Sequence, residues 1–224
     1  MIFFKKRTKV DLKEFCKQYY DEYFLELKLT PIADFNLHYN ELISEKITEV
    51  DSNFKSVDFR KFCHESLIIR FELFSLAWFH HFGNDLAIKQ SIFTKEYLVS
   101  KDKEDIWDDA EAYNQAIAAS ATHGHNTSKL SDKYQRLHIA ETRMALANKY
   151  NIDSIDGKCI ARALNKYGTN AKNRMLKVTL LYIGIAFCKN LDYKVNEKAM
   201  VIIIGFLKGL YDGSKQSFEE IKII

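Results

Sequence analysis

Ser66–Phe82, SLIIRFELFSLAWFHHF, is the stretch that decides the fold. Its apolar residues cover every side of a helical wheel, and Arg70 and Glu72 are its only fully charged members. A run of this kind, free of proline and glycine, predicts a helix buried on most sides, because a surface helix keeps one polar face. Gly83 follows at once, and glycine is favoured just past a helix end. Upstream, Ser56 or Asp58 supplies an N-cap. The expected helix spans residues 56–82 and forms the centre of the molecule.

Working outward, the same rhythm recurs. The chain of 224 residues contains a single proline, Pro31, which leaves almost nothing to punctuate a β-rich fold. Asp11–Leu29 carries Leu12, Phe15, Cys16, Tyr19, Tyr20, Tyr23, Phe24 and Leu27 at i, i+3, i+4, i+7 spacing behind an acidic N-cap. Pro31 opens a second helix through Leu37, Leu42, Ile43, Ile47 and Val50, and Asp51-Ser52-Asn53 forms the next loop. Further helices are expected over 85–99, 103–121, 131–150, 154–167, 171–189 and 196–211, with a short turn through Phe218 and Ile221. The expected fold is all-α: a single domain over 1–224, a bundle or array of about eight or nine helices with little or no sheet. Two apolar C-terminal helices join the central one in the core, and residues 1–55 are either part of it or a peripheral arm. Gly205, Gly209 and Gly213 recur on one face of the last helix and predict close approach of a neighbour, within the chain in preference to a second copy.

Bulk properties exclude several classes. Lys plus Arg is 33 against 30 for Asp plus Glu, a net charge of +3, too mild to announce a polyanionic partner. The apolar runs 178–188 and 199–207 are too short to cross a bilayer, and charged residues lie between them. Met1-Ile2-Phe3-Phe4 precedes Lys5, Lys6, Arg7 and Lys9, the reverse of a secretory signal. Cys16, Cys63, Cys159 and Cys188 are widely spaced among apolar neighbours and read as reduced core thiols. With lysine far commoner than arginine and abundant Ile and Asn, the expectation is a protein of bacterial cytoplasm.

Four features could carry chemistry. His80, His81, His123 and His125 form two pairs at expected helix ends beside glycines, and with Asp108 they could hold a divalent metal if the two ends converge. The same placement suits histidines that cap helix C-termini, and H-E-x-x-H and E-x-x-H are absent. Asp105 with Asp109, and Asp108 with Glu111, share faces of an acidic helix start that could hold Mg²⁺ at a diphosphate, although a second acidic motif is lacking. Arg70 and Glu72 lie about 200° apart round their helix and cannot pair with each other. With Asp109 or Asp108 as a partner for Arg70, they form an internal ion pair or a ligand clamp. Lys158, Arg162 and Lys166 make a basic stripe fit for phosphate, which also suits a solvated helix face. With no complete catalytic set and abundant aromatics, the leading expectation is a non-catalytic binding or interaction protein, self-associating or with a protein partner, and without a cofactor. The alternative is a metal-dependent hydrolase or diphosphate-processing enzyme built on the His/Asp cluster.

Overall fold

The computed structural model describes residues 8–24, 31–101, 109–110, 113–114, 116–117, 171–219 and 221–223. Among them lie six α-helices: α1 (Leu12–Phe24), α2 (Pro31–Val50), α3 (Phe59–Phe82), α4 (Asn84–Ser100), α5 (Ala171–Asn190) and α6 (Glu197–Phe218). The class is all-α, with six of the expected eight or nine helices among the described residues; the remaining expected helices fall on 103–167, almost wholly outside the described residues. No described helix is long and apolar enough to cross a membrane.

Local chemistry sets the helix boundaries. The Asp11 carboxylate accepts from the Glu14 amide at 3.0 Å, and that of Asp58 from the Arg60 amide at 2.8 Å, so both acids cap the helices that follow them. Pro31 occupies the first position of α2, where its missing N–H costs nothing. Gly83 takes a φ of 85° between α3 and α4, a conformation that a side chain would strain. α6 continues past Tyr211 through Gly213 to Phe218. Residues 221–223 are then not a helical turn but a strand, β2 (Ile221–Ile223), parallel to β1 (Thr8–Val10) with Thr8 opposite Ile221. A pairing so remote in sequence leaves no local periodicity to read.

The chain divides into two compact units, one built on residues 1–41, 66–110 and 208–224, the other on 42–65 and 111–207. In the first, Phe74 and Trp78 of α3 centre an aromatic core. Phe218 packs edge-on to both rings at 5.2 and 5.3 Å, Tyr19 lies 4.0 Å from Phe74, and Phe15 lies 5.9 Å from Trp78. The Trp78 indole N–H donates to the Leu86 carbonyl at 3.1 Å, which satisfies the ring's one polar atom across the Gly83 turn. In the second unit, Phe62 is fully buried against Phe54, Phe187 and Phe206. Among the described residues, Cys16, Cys63 and Cys188 form no disulfide.

The second unit is closed by one carboxylate. Asp51 is 5% exposed, and its Oδ1 accepts from the Asn53 amide at 3.1 Å, capping a short 3-10 helix over Ser52–Ser56. Its Oδ2 accepts from the Tyr193 hydroxyl at 2.6 Å and the Asn196 amide at 3.3 Å. Asn196 donates from Nδ2 to the Val50 carbonyl and caps α6 through the Ala199 amide. One aspartate thus ties the end of α2 to the start of α6. Asp51→Ala should destabilise by about 2–4 kcal/mol, because it strands a buried hydroxyl and a cap together. Asp58→Ala, which removes an exposed cap alone, should cost about 1 kcal/mol; equal urea midpoint shifts for the two would refute the clasp.

The glycine face of α6 behaves differently from its spacing. Among the described residues, a Cβ at Gly205 or Gly213 meets nothing within 4 Å, and at Gly209 it meets only the Tyr39 hydroxyl, at 3.3 Å. Close helix approach occurs instead at Gly184 of α5, where a Cβ would lie 3.3 Å from Met200 Sδ and 3.6 Å from both Ile203 and Leu207. Gly205→Ala should therefore stabilise by about 0.5–1 kcal/mol through lower unfolded-state entropy. Gly184→Ala should show no such gain, and denaturant titration of the two variants separates open space from contact.

Candidate functional site

α4 mixes polar and apolar residues on both its buried and its exposed side. At 100° per residue, Gln90, Thr94, Tyr97 and Leu98 share one side, and all four are buried. Ile88, Ile92, Lys95 and Val99 fall within about 60° of one another on the opposite side. There Ile88 is 53% exposed, Ile92 57% and Val99 45%. The helix turns two polar residues inward and three branched aliphatic residues outward.

The inward polar residues are matched. Gln90 Nε2 donates to the Tyr20 hydroxyl at 2.7 Å, to Thr94 Oγ1 at 2.8 Å and to Ser75 Oγ at 3.1 Å. Tyr20 and Thr94 share a further bond of 2.5 Å, and Thr94 also donates to the Gln90 carbonyl. A buried network pays its desolvation cost only if its members are satisfied, and this one joins α1, α3 and α4 in a single register. Burial pushes the Cys16 thiol up to about 12 and raises the Tyr20 phenol well above its ordinary value. Neither is an ionised nucleophile near neutral pH. At the end of α4 the Tyr97 hydroxyl donates to Asp21 at 2.5 Å, and Lys101 sits 3.6 Å from the same carboxylate and over the Tyr97 ring.

A second buried carboxylate, Glu65, is 8% exposed in α3. The Tyr113 hydroxyl donates to its Oε2, and Asn190 Nδ2 donates to the same oxygen at 3.0 Å. Burial first, and the adjoining Glu65 second, raise the Tyr113 phenol far above its usual range. Sequence reasoning missed Glu65 and Asp51 because each is defined by partners more than forty residues away; the position of Asp51 before a 3-10 turn was the one local signal.

The residues singled out from the sequence are distributed as follows. Arg70 and Glu72 are each 8% exposed and each is engaged by other groups, and Asp109 lies at the surface. His80 Nδ1 is 2.8 Å from the Tyr211 hydroxyl, whereas the ring of His81 turns to Phe82 and Phe218 at 4.6 and 6.0 Å. The adjacent histidines thus serve different neighbours. His123, His125, Asp108, Lys158, Arg162 and Lys166 lie outside the described residues. Among the described residues, no group of three or more His, Cys, Asp or Glu side chains is placed to hold a metal ion. A shallow depression of about 340 Å³ at the end of α6 has Gly213, Gln216, Ser217 and Glu219 as its described lining, with Glu219 the one titratable group among them.

Comparison of the chain with protein-family models, with curated proteins and with solved structures finds no match.

Burial, and secondarily Lys215, hold the His80 imidazole below its ordinary value of about 6.5. The unfolded chain then takes up this proton at higher pH than the folded one, so stability should fall as pH drops through about 6.5 toward the folded value. The denaturation midpoint of wild type should decline from pH 7 to pH 5 more steeply than that of His80→Gln. Parallel profiles would remove His80 from the balance.

Proposed function

We propose that this chain is a non-catalytic helical binding or interaction protein of the bacterial cytoplasm, and that the outward face of α4 is its contact surface. The observation that carries the reading is the trio Ile88, Ile92 and Val99, exposed together on one side of α4. Single exposed aliphatic residues are ordinary on protein surfaces. Three on one face, opposite a polar network that the fold has gone to the length of burying, are not explained by the chain's own core. Full burial of an Ile or Val side chain is worth about 1.5–3 kcal/mol. Three half-exposed ones leave roughly 2–4 kcal/mol to be gained when a partner covers them. The protonated state of the buried thiol and phenols, and the internal partners of Asp51 and Glu65, lend support, since the described buried groups serve the fold.

Two measurements test this reading. A photo-crosslinking amino acid at position 92 in living cells should give a discrete adduct whose partner is identified by mass spectrometry, and the same probe at exposed Lys46 should not. Elemental analysis of protein purified without a tag should find no stoichiometric metal. The absence of any adduct at position 92 would overturn the reading. So would about one equivalent of zinc, manganese or iron that is lost in His123→Ala/His125→Ala, which would favour the metal-dependent hydrolase built on His80, His81, His123, His125 and Asp108.

A further inference from the structure

From the same face we infer its occupant: a second copy of this chain, with the two α4 helices packed antiparallel about a two-fold axis. The inference rests on the reading of α4 as a contact surface and adds the partner and its orientation.

The stripe Ile88, Ile92, Lys95, Val99 advances by four, three and four residues, the spacing with which one helix seats its side chains between those of another. Its two edges differ. On one edge stand Asp85, Lys89 and Glu96, all exposed, with Lys89 and Glu96 seven residues apart. On the other stand Asn84, Ser91 and Leu98, of which Leu98 is 2% exposed and turned into the chain's own core. Among the described residues neither Lys89 nor Glu96 forms an ion pair within the chain.

A two-fold contact places the same patch on both sides, so the patch must complement itself. When the stripe meets its copy antiparallel, Ile88 falls opposite the partner's Val99 and Ile92 opposite the partner's Lys95. In that register like edges meet, and Lys89 lies beside the partner's Glu96 while Glu96 lies beside the partner's Lys89. The two pairs form together or not at all. A parallel arrangement sets each charged edge against Asn84, Ser91 and Leu98 and gives neither charge a counterpart. Charge complementarity thus selects both the second copy and the direction. Lys95 lays its apolar stem along the partner's Ile92.

One helix pair buries less than about 1,200 Å², the range of weak and transient complexes, so association is concentration-dependent. Sedimentation equilibrium of the full chain from the micromolar to the millimolar range provides the test. Wild type should pass from monomer to dimer. Lys89→Glu and Glu96→Lys should each weaken dimerisation roughly tenfold or more, since each sets two like charges together twice. An equimolar mixture of these two variants should associate as wild type does, because the heterodimer restores both pairs, and Lys89→Glu/Glu96→Lys should also dimerise. Circular dichroism verifies that each surface variant is folded, and the mixture remains informative even if the double variant is not. A wild type monomeric throughout, or a mixture no tighter than either variant alone, would overturn the proposal. If the monomer persists while position 92 crosslinks to a different protein, self-pairing falls and the contact surface stands; with no adduct at all, both fall.

Discussion

Helix α3 buries most of its length, from Phe62 to Trp78, and the arrangement within each unit follows from covering it. Its first turns place Phe62 and Glu65 in one unit, and its later turns place Phe74 and Trp78 in the other. In each unit aromatic rings from distant segments close on it: Phe187 and Phe206 in one, Phe15, Tyr19 and Phe218 in the other. Edge-on ring pairs recur among these contacts, and they define orientation more narrowly than aliphatic packing does. Three helices, α2, α3 and α6, contribute residues to both units, so neither unit is a continuous stretch of chain.

Apolar covering alone would leave α1 and α4 free to rotate or slide. The polar groups remove that freedom. Tyr20, Ser75, Gln90 and Thr94 satisfy one another only in one register, and Asp51 meets Tyr193 and Asn196 only when α2 ends where it does. Such networks add little net stability over a well-packed apolar core, but the cost of leaving a member unpaired narrows the structure to one solution. The inward polarity of α4 is therefore a specification of its angle. Among the described residues, its outward aliphatic residues Ile88, Ile92 and Val99 have no such role.

What could be read in advance was what is local. Asp11, Pro31, Asp58 and Gly83 mark helix boundaries through interactions within a turn, and their helices begin or end where those residues indicate. The burial of Arg70 and Glu72 likewise followed from the apolar surroundings of one helix. The strand pairing of Val10 with Ile223, the partners of Asp51 and Glu65, and the outward face of α4 all depend on which segments meet, and no spacing within a segment encodes that. The glycines of α6 show the converse hazard: a four-residue repeat implies close contact only if something lies opposite, and at Gly205 no described residue of the chain does. The rest of the candidate chemistry, at His123, His125, Asp108, Lys158, Arg162 and Lys166, lies outside the described residues.

The interleaving of the two units also orders events during synthesis. Phe74 and Trp78 leave the ribosome early, but Phe218, which packs on both, follows only after residues 111–207. At about 5–20 residues per second, the roughly 140 residues from Trp78 to Phe218 take on the order of 7–28 s. The unit on 42–65 and 111–207 has all its residues before the other does, although the other holds the earliest-made segment. For those seconds an aromatic surface on the nascent chain waits for its lid, the state in which a holding chaperone competes with aggregation.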